Sequence, residues 1–120
     1  MIMFWALLAT LSAEPPFPER IPSMIENCIH AALESRTLSK EDGSHKYICG
    51  GQVAEEFWDY LEKKHVEASD QTTDNGIWSS RYFPLGGCFK RVRNLDGTSA
   101  TGGLSCTIWI PYRIDKKADD

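Results

Sequence analysis

Two carboxylates, three histidines and a few glycine-flanked serines are the residues whose types and spacing invite catalysis. Glu55 and Asp59 stand at i and i+4, so a helix would carry both carboxylates on one side, at a distance compatible with acid–base work. Glycoside cleavage needs its two carboxyl groups across a cleft from each other. A shared helix face puts them on one wall, and a solvated face is the simpler reading. His30, His45 and His65 show no H-E-x-x-H or other ligand spacing. Ser44 and His45 are adjacent, and their side chains diverge if the segment is a strand. Gly102-Gly103-Leu104-Ser105-Cys106 misses the G-x-S-x-G spacing of a nucleophile elbow. Gly50-Gly51 and Gly86-Gly87 lack the x-x-G continuation of a phosphate loop. No catalytic constellation emerges, and no cofactor or metal is expected.

The four cysteines offer structural chemistry instead. Cys28, Cys49, Cys88 and Cys106 are well separated and contain no C-x-x-C, which argues against a zinc site and against thioredoxin-type exchange. In an oxidising compartment they read as two disulfides, with three connectivities open. The sequence-local pairing, Cys28–Cys49 and Cys88–Cys106, is favoured because each bond joins neighbouring elements. A closed loop of about 20 residues contributes roughly 3 kcal/mol by chain-entropy reasoning.

Recognition is the remaining chemistry. Residues 14–75 hold 6 Lys and Arg against 13 Asp and Glu, whereas residues 76–120 hold 7 against 4. A net −7 and a net +3 thus make up the −4 of the chain. Arg81, Lys90, Arg91 and Arg93 gather beside Trp78, Tyr82, Phe83 and Phe89, a composition typical of interfaces. Trp78, Arg81, Tyr82, Lys90, Arg91 and Arg93 are therefore the expected binding residues, and a protein partner with an acidic cleft is the expected occupant. Basic and aromatic residues also suit nucleic acid, but an exported, net-acidic chain argues against it. The competing reading is a solvated strand face over a buried aromatic core.

These residues must be placed by a frame built around Tyr47–Lys64. Tyr47, Ile48 and Cys49 are β-prone, Gly50-Gly51 breaks the strand, and Ala54, Phe57, Trp58, Leu61 and His65 then recur at helical spacing. This predicts a strand over 45–49 and a helix running to about Val66, with His65 a partly buried packing residue. An earlier helix is expected from Ser23, with Ser23 and Glu26 as a capping box and Ile25, Cys28, Ile29, Ala32 and Leu33 on its buried stripe. Segments 38–44 and 67–76 read as polar connections. The stretch 77–83, a turn at 84–87 and a strand over 88–93 form a hairpin. Leu104 to Tyr112 alternates cleanly and should lie at a sheet edge or end at Pro111, which lacks an amide donor. The fold class is α+β: two helices packed on one face of a small, mostly antiparallel sheet of about four strands.

Residues 1–13 are uncharged and nearly all apolar, ending in Ser12-Ala13 before Glu14-Pro15-Pro16. They read as a signal peptide cleaved after Ala13, too short to span a bilayer, which takes roughly 20 residues. Residues 14–22 hold four of the six prolines and form an extended leader. A single domain over 23–114 and a solvated tail over 115–120 complete the organisation. The chain is expected in the periplasm or outside the cell, without a stable membrane span after cleavage. Its expected function is that of a small disulfide-stabilised binding protein, an inhibitor or immunity-type protein that blocks a hydrolase or toxin. The alternatives are a small extracytoplasmic hydrolase of cell-wall polymer using Glu55, Asp59 or His45, or an accessory component of an envelope or secretion assembly.

Overall fold

The computed structural model describes residues 22–100 and 102–118. The apolar run 1–13, its cleavage point and all of the leader except Pro22 lie outside the described residues. In order, the chain forms helix α1 (Ser23–Ser35), strands β1 (Leu38–Glu41) and β2 (Ser44–Gly50), and helix α2 (Gly51–Lys63). Strands β3 (Ser69–Thr73), β4 (Gly76–Phe83), β5 (Gly86–Arg93) and β6 (Leu104–Pro111) follow. All six strands make one antiparallel sheet in the order β1-β2-β6-β5-β4-β3.

The architecture is α+β, but the sheet has six strands rather than about four. The two additions, β1 and β3, are its edges. Their sequences, L-S-K-E and S-D-Q-T-T, carry no apolar alternation, and all five residues of β3 are exposed. Apart from Leu38, half-buried against the core, these edges need little beyond backbone pairing, so hydrophobic periodicity is silent there. The alternating strand β6 lies second to none in burial: it sits between β2 and β5 and ends at Pro111, where the missing donor stops the ladder.

Both helices lie against the face that carries Tyr47, Cys49, Cys106 and Ile108. Helix α2 buries Ala54, Phe57, Trp58 and Leu61, the stripe expected from its spacing. It stops at Lys63 because His65 turns left-handed (φ 60°), letting the amides of His65 and Val66 reach the carbonyls of Glu62 and Leu61 at 3.0 Å each. His65 is therefore exposed and packs on nothing in the core, which corrects its expected place on the stripe. Helix α1 buries Ile25, Cys28, Ile29 and Ala32, while Leu33 stays exposed. Its N-cap is Pro22 without a side-chain cap, so the Ser23–Glu26 box does not form. Glu26 is drawn instead to Lys117 at 3.0 Å and His30 at 3.5 Å.

The cysteines tie these layers together with the expected pairing. Register places Cys49, Cys106 and Cys88 in one row across β2, β6 and β5. Cys88 and Cys106 are directly opposed, with Cα atoms 4.0 Å apart, and are bonded. Cys28 bonds Cys49 from above and fastens α1 to the sheet. All four are buried, and the Cys28 sulfur lies 3.8 Å from the Cys106 carbonyl.

The segment after β6 is not the solvated tail expected from Asp115 onward. A 3-10 turn at Tyr112–Ile114 folds it back, and Asp115 is only 2% exposed. One carboxylate oxygen accepts the Tyr47 hydroxyl and lies 3.0 Å from His45 Nδ1. The other receives the amides of Lys117 and Ala118 at 3.1 and 3.4 Å. The His45 ring N–H is poorly aligned with the carboxylate, so that contact is close without being a directed hydrogen bond. His45 also meets Tyr112 edge-on, with ring centroids 4.6 Å apart.

Candidate functional interface

The β4–β5 hairpin sorts its side chains by the two-residue period of a strand. Register pairs Trp78 with Arg91, Ser80 with Phe89, and Tyr82 with Gly87 on the face away from the helices. Ser79 with Lys90 and Arg81 with Cys88 point toward them. A strand irregularity between Ile77 and Trp78 offsets the end of the pair, where Arg93 opposes Ile77. The six expected binding residues are thus divided between two faces rather than gathered on one surface.

On the helix side, Arg81 and Lys90 share the Trp58 indole of α2. The Arg81 guanidinium is 4.7 Å from the ring centroid and the Lys90 ammonium 5.6 Å. Arg81 is further held by the Val66 carbonyl, to which Nη1 donates, and by Glu62 at 3.5 Å. Its side chain is 13% exposed, so it is a clamp for the α2–β3 connection more than a free cation. Lys90 is exposed and lines a shallow pocket of about 190 Å³ with Gln52, Glu55, Trp58 and Asp59. Here the i, i+4 carboxylates share one wall, as their spacing implied. His45 is not among that pocket's lining residues; it is buried beside Asp115.

The other face is aromatic. Tyr82 is 55% exposed and meets Phe89 edge-on, with centroids 5.6 Å apart. Gly87 forms the floor beneath Tyr82: a Cβ there would come within 2.9 Å of the phenol ring, so a side chain would lift it off the sheet. Trp78 and Phe89 are half-buried, as are Trp109 and Ile48 on the neighbouring strands β6 and β2. No described helix packs on this side, so these rings form a shallow apolar platform.

The cations around the platform differ in freedom. Arg91 donates to the Asn75 carbonyl at 2.6 Å and to Asn94 Oδ1 at 2.8 Å, bracing two turns at the hairpin's open end. Arg93 is about half-exposed, with Asp70 at 3.9 Å. Lys46 flanks Trp109 across the β2–β6 pair and contacts Glu41 at 3.3 Å. Lys46 is the reachable cation on the platform face, Lys90 and Arg93 are reachable on the helix side, and Arg81 and Arg91 are committed to the fold. Trp58, Trp109 and Asp115 were absent from the expected site. Strand alternation could have placed Trp109 opposite the buried row, but nothing local links Asp115 to Tyr47 across 68 residues.

Among the described residues, no group of His, Cys, Asp and Glu is placed to hold a metal ion, and no helix is long and apolar enough to cross a membrane. No protein-family model, curated protein or solved structure matches the chain.

Proposed function

We propose that this chain is an extracytoplasmic, non-enzymatic binding protein of inhibitor or immunity type, and that its partner seats on the aromatic platform of the β4–β5 hairpin. The observation that carries this reading is Tyr82: a large ring, 55% exposed, propped on a glycine floor and backed by Phe89. Rigid tyrosines on a flat sheet supply contact area at little entropic cost, and Trp and Tyr dominate interface hot spots. The two buried disulfides are compatible with a compartment outside the cytoplasm. Lys46 beside Trp109 and Arg91 beside Trp78 give the platform face positive charge, which favours a partner with an acidic cleft.

The hydrolase reading has one observation in its favour, the pocket containing Glu55, Asp59 and Lys90. Both carboxylates rise from the same helix, so neither faces the other across a substrate, and the binding reading is preferred. Site-specific photo-crosslinking tests the choice of surface. A crosslinking side chain at Tyr82 should trap one envelope protein in living cells, whereas the same group at Glu56, on the exposed side of α2, should not. Trapping from Glu56 alone would move the interface to the helix.

A further inference from the structure

A second site lies at the end of the molecule where both helices meet the β4–β5 turn, and it belongs to neither surface described above. Ile25 of α1, Phe57 and Leu61 of α2, and Phe83 and Leu85 of the hairpin enclose a half-open pocket of about 240 Å³. Among the described residues, all its lining side chains are hydrocarbon except those of Tyr60 and Lys64. The Lys64 ammonium lies 5.6 Å over the Tyr60 ring. Among the described residues Lys64 has no carboxylate partner, unlike Lys46, Lys117, Arg81 and Arg93. A hydrocarbon pocket with one unpaired cation at its mouth is complementary to a molecule with the opposite pattern: an apolar body ending in a single negative charge.

We infer that this pocket binds a short straight-chain monocarboxylate. At about 240 Å³ the half-open pocket is smaller than the roughly 300–1,000 Å³ of a drug-sized site, so it takes a short alkyl chain and leaves a longer one in solvent. The chain fills the space between Phe57, Leu61 and Phe83 and displaces water that has no polar group to bond there. The carboxylate is left at the rim, where it stays hydrated and meets Lys64. Because the rim is open to solvent, the charge selects among ligands of similar size while the hydrocarbon supplies affinity.

Calorimetric titration of the full chain with hexanoate, heptanoate, octanoate and decanoate tests this. Affinity should rise about fourfold per added methylene and level off within this series, with a Kd for octanoate on the order of 100 µM. Octanol should bind more weakly than octanoate, and Lys64→Glu should weaken octanoate about tenfold while leaving octanol within twofold. Lys64 is exposed, so that variant does not disturb the core. Val66→Trp, which places an indole in the pocket, should abolish binding of both. Three results would each overturn the inference: no saturable binding of octanoate, octanoate binding that Val66→Trp leaves unchanged, or equal affinity for octanol and octanoate. So would a dimer of the chain that Val66→Trp dissociates without any response to octanoate, since the pocket would then be a contact between copies.

Discussion

Replacing Asp115 with alanine is the perturbation whose cost can be worked out most completely. The carboxylate is 2% exposed and joins two parts of the chain, Tyr47 and His45 of β2 and the amides of Lys117 and Ala118. The Tyr47 hydroxyl donates to the carboxylate, and a hydrogen bond to a charged group is worth about 1.5–3 kcal/mol. The two amides are partly accessible and recover much of their loss from water. Asp115→Ala should therefore destabilise the chain by about 2–4 kcal/mol, a large share of the roughly 5–15 kcal/mol of a typical domain. Asp115→Asn keeps an acceptor of the same shape and should cost only about 1–2 kcal/mol. Lys117→Ala removes a surface ion pair with Glu26, at 3.0 Å, and should cost less than about 1 kcal/mol. Urea unfolding of the oxidised proteins measures all three. With a slope of about 2 kcal/mol per molar, the midpoint for Asp115→Ala should fall by roughly 1–2 M. A shift no larger than that of Lys117→Ala would refute the argument and return the segment to the status of a solvated tail.

Removing either disulfide as a Cys-to-Ala pair should cost about 3 kcal/mol, because the closed loops are similar, with sequence separations of 21 and 18. Denaturation midpoints of the two double variants should fall within about 1 kcal/mol of each other, and a several-fold asymmetry would show that loop closure does not dominate. Asp96 is held below the ordinary carboxylate range by the Thr98 hydroxyl first and the Thr98 amide second. Folding is therefore favoured by this turn above the unfolded carboxylate pKa, and that contribution disappears as pH falls through the lower folded value. Thr98→Val should raise the Asp96 titration midpoint, as followed by carboxyl NMR, and an unmoved midpoint would discount the hydroxyl.

Most of the frame was legible because its signals are local. The stripe through Ala54, Phe57, Trp58 and Leu61 and the alternation over 104–111 are both properties of a single element, and both elements are where they were expected. The disulfide pairing followed from adjacency in sequence, although Cys106 faces Cys49 as well as Cys88 and locality alone did not compel the choice. The edge strands were illegible because all they bury is part of Leu38, too little for a periodic signal. His65 was misplaced because periodicity cannot see a left-handed residue that ends a helix. The hairpin was foreseen, but the division of its charges was not. Two-residue alternation separates Arg81 and Lys90 from Trp78, Tyr82 and Arg91, and long-range contacts then spend Arg81 and Arg91 on Val66, Glu62, Asn75 and Asn94. Alanine at Arg91 would loosen two turns, so it cannot isolate a binding contribution.

The aromatic platform is tested most directly by the affinity of the crosslinked partner, once purified, for Tyr82→Ala and for the pair Glu55→Gln and Asp59→Asn. Burying the exposed half of Tyr82, about 100 Å² at ~25 cal/mol per Å², accounts for roughly 2 kcal/mol or more. Tyr82→Ala should then weaken binding about 30-fold, Lys46→Ala should slow association with a reduced salt dependence, and the carboxylate pair should change the Kd by less than about twofold. A Tyr82→Ala protein of unchanged affinity, with binding lost in the carboxylate variant, would contradict the account and place the partner on α2.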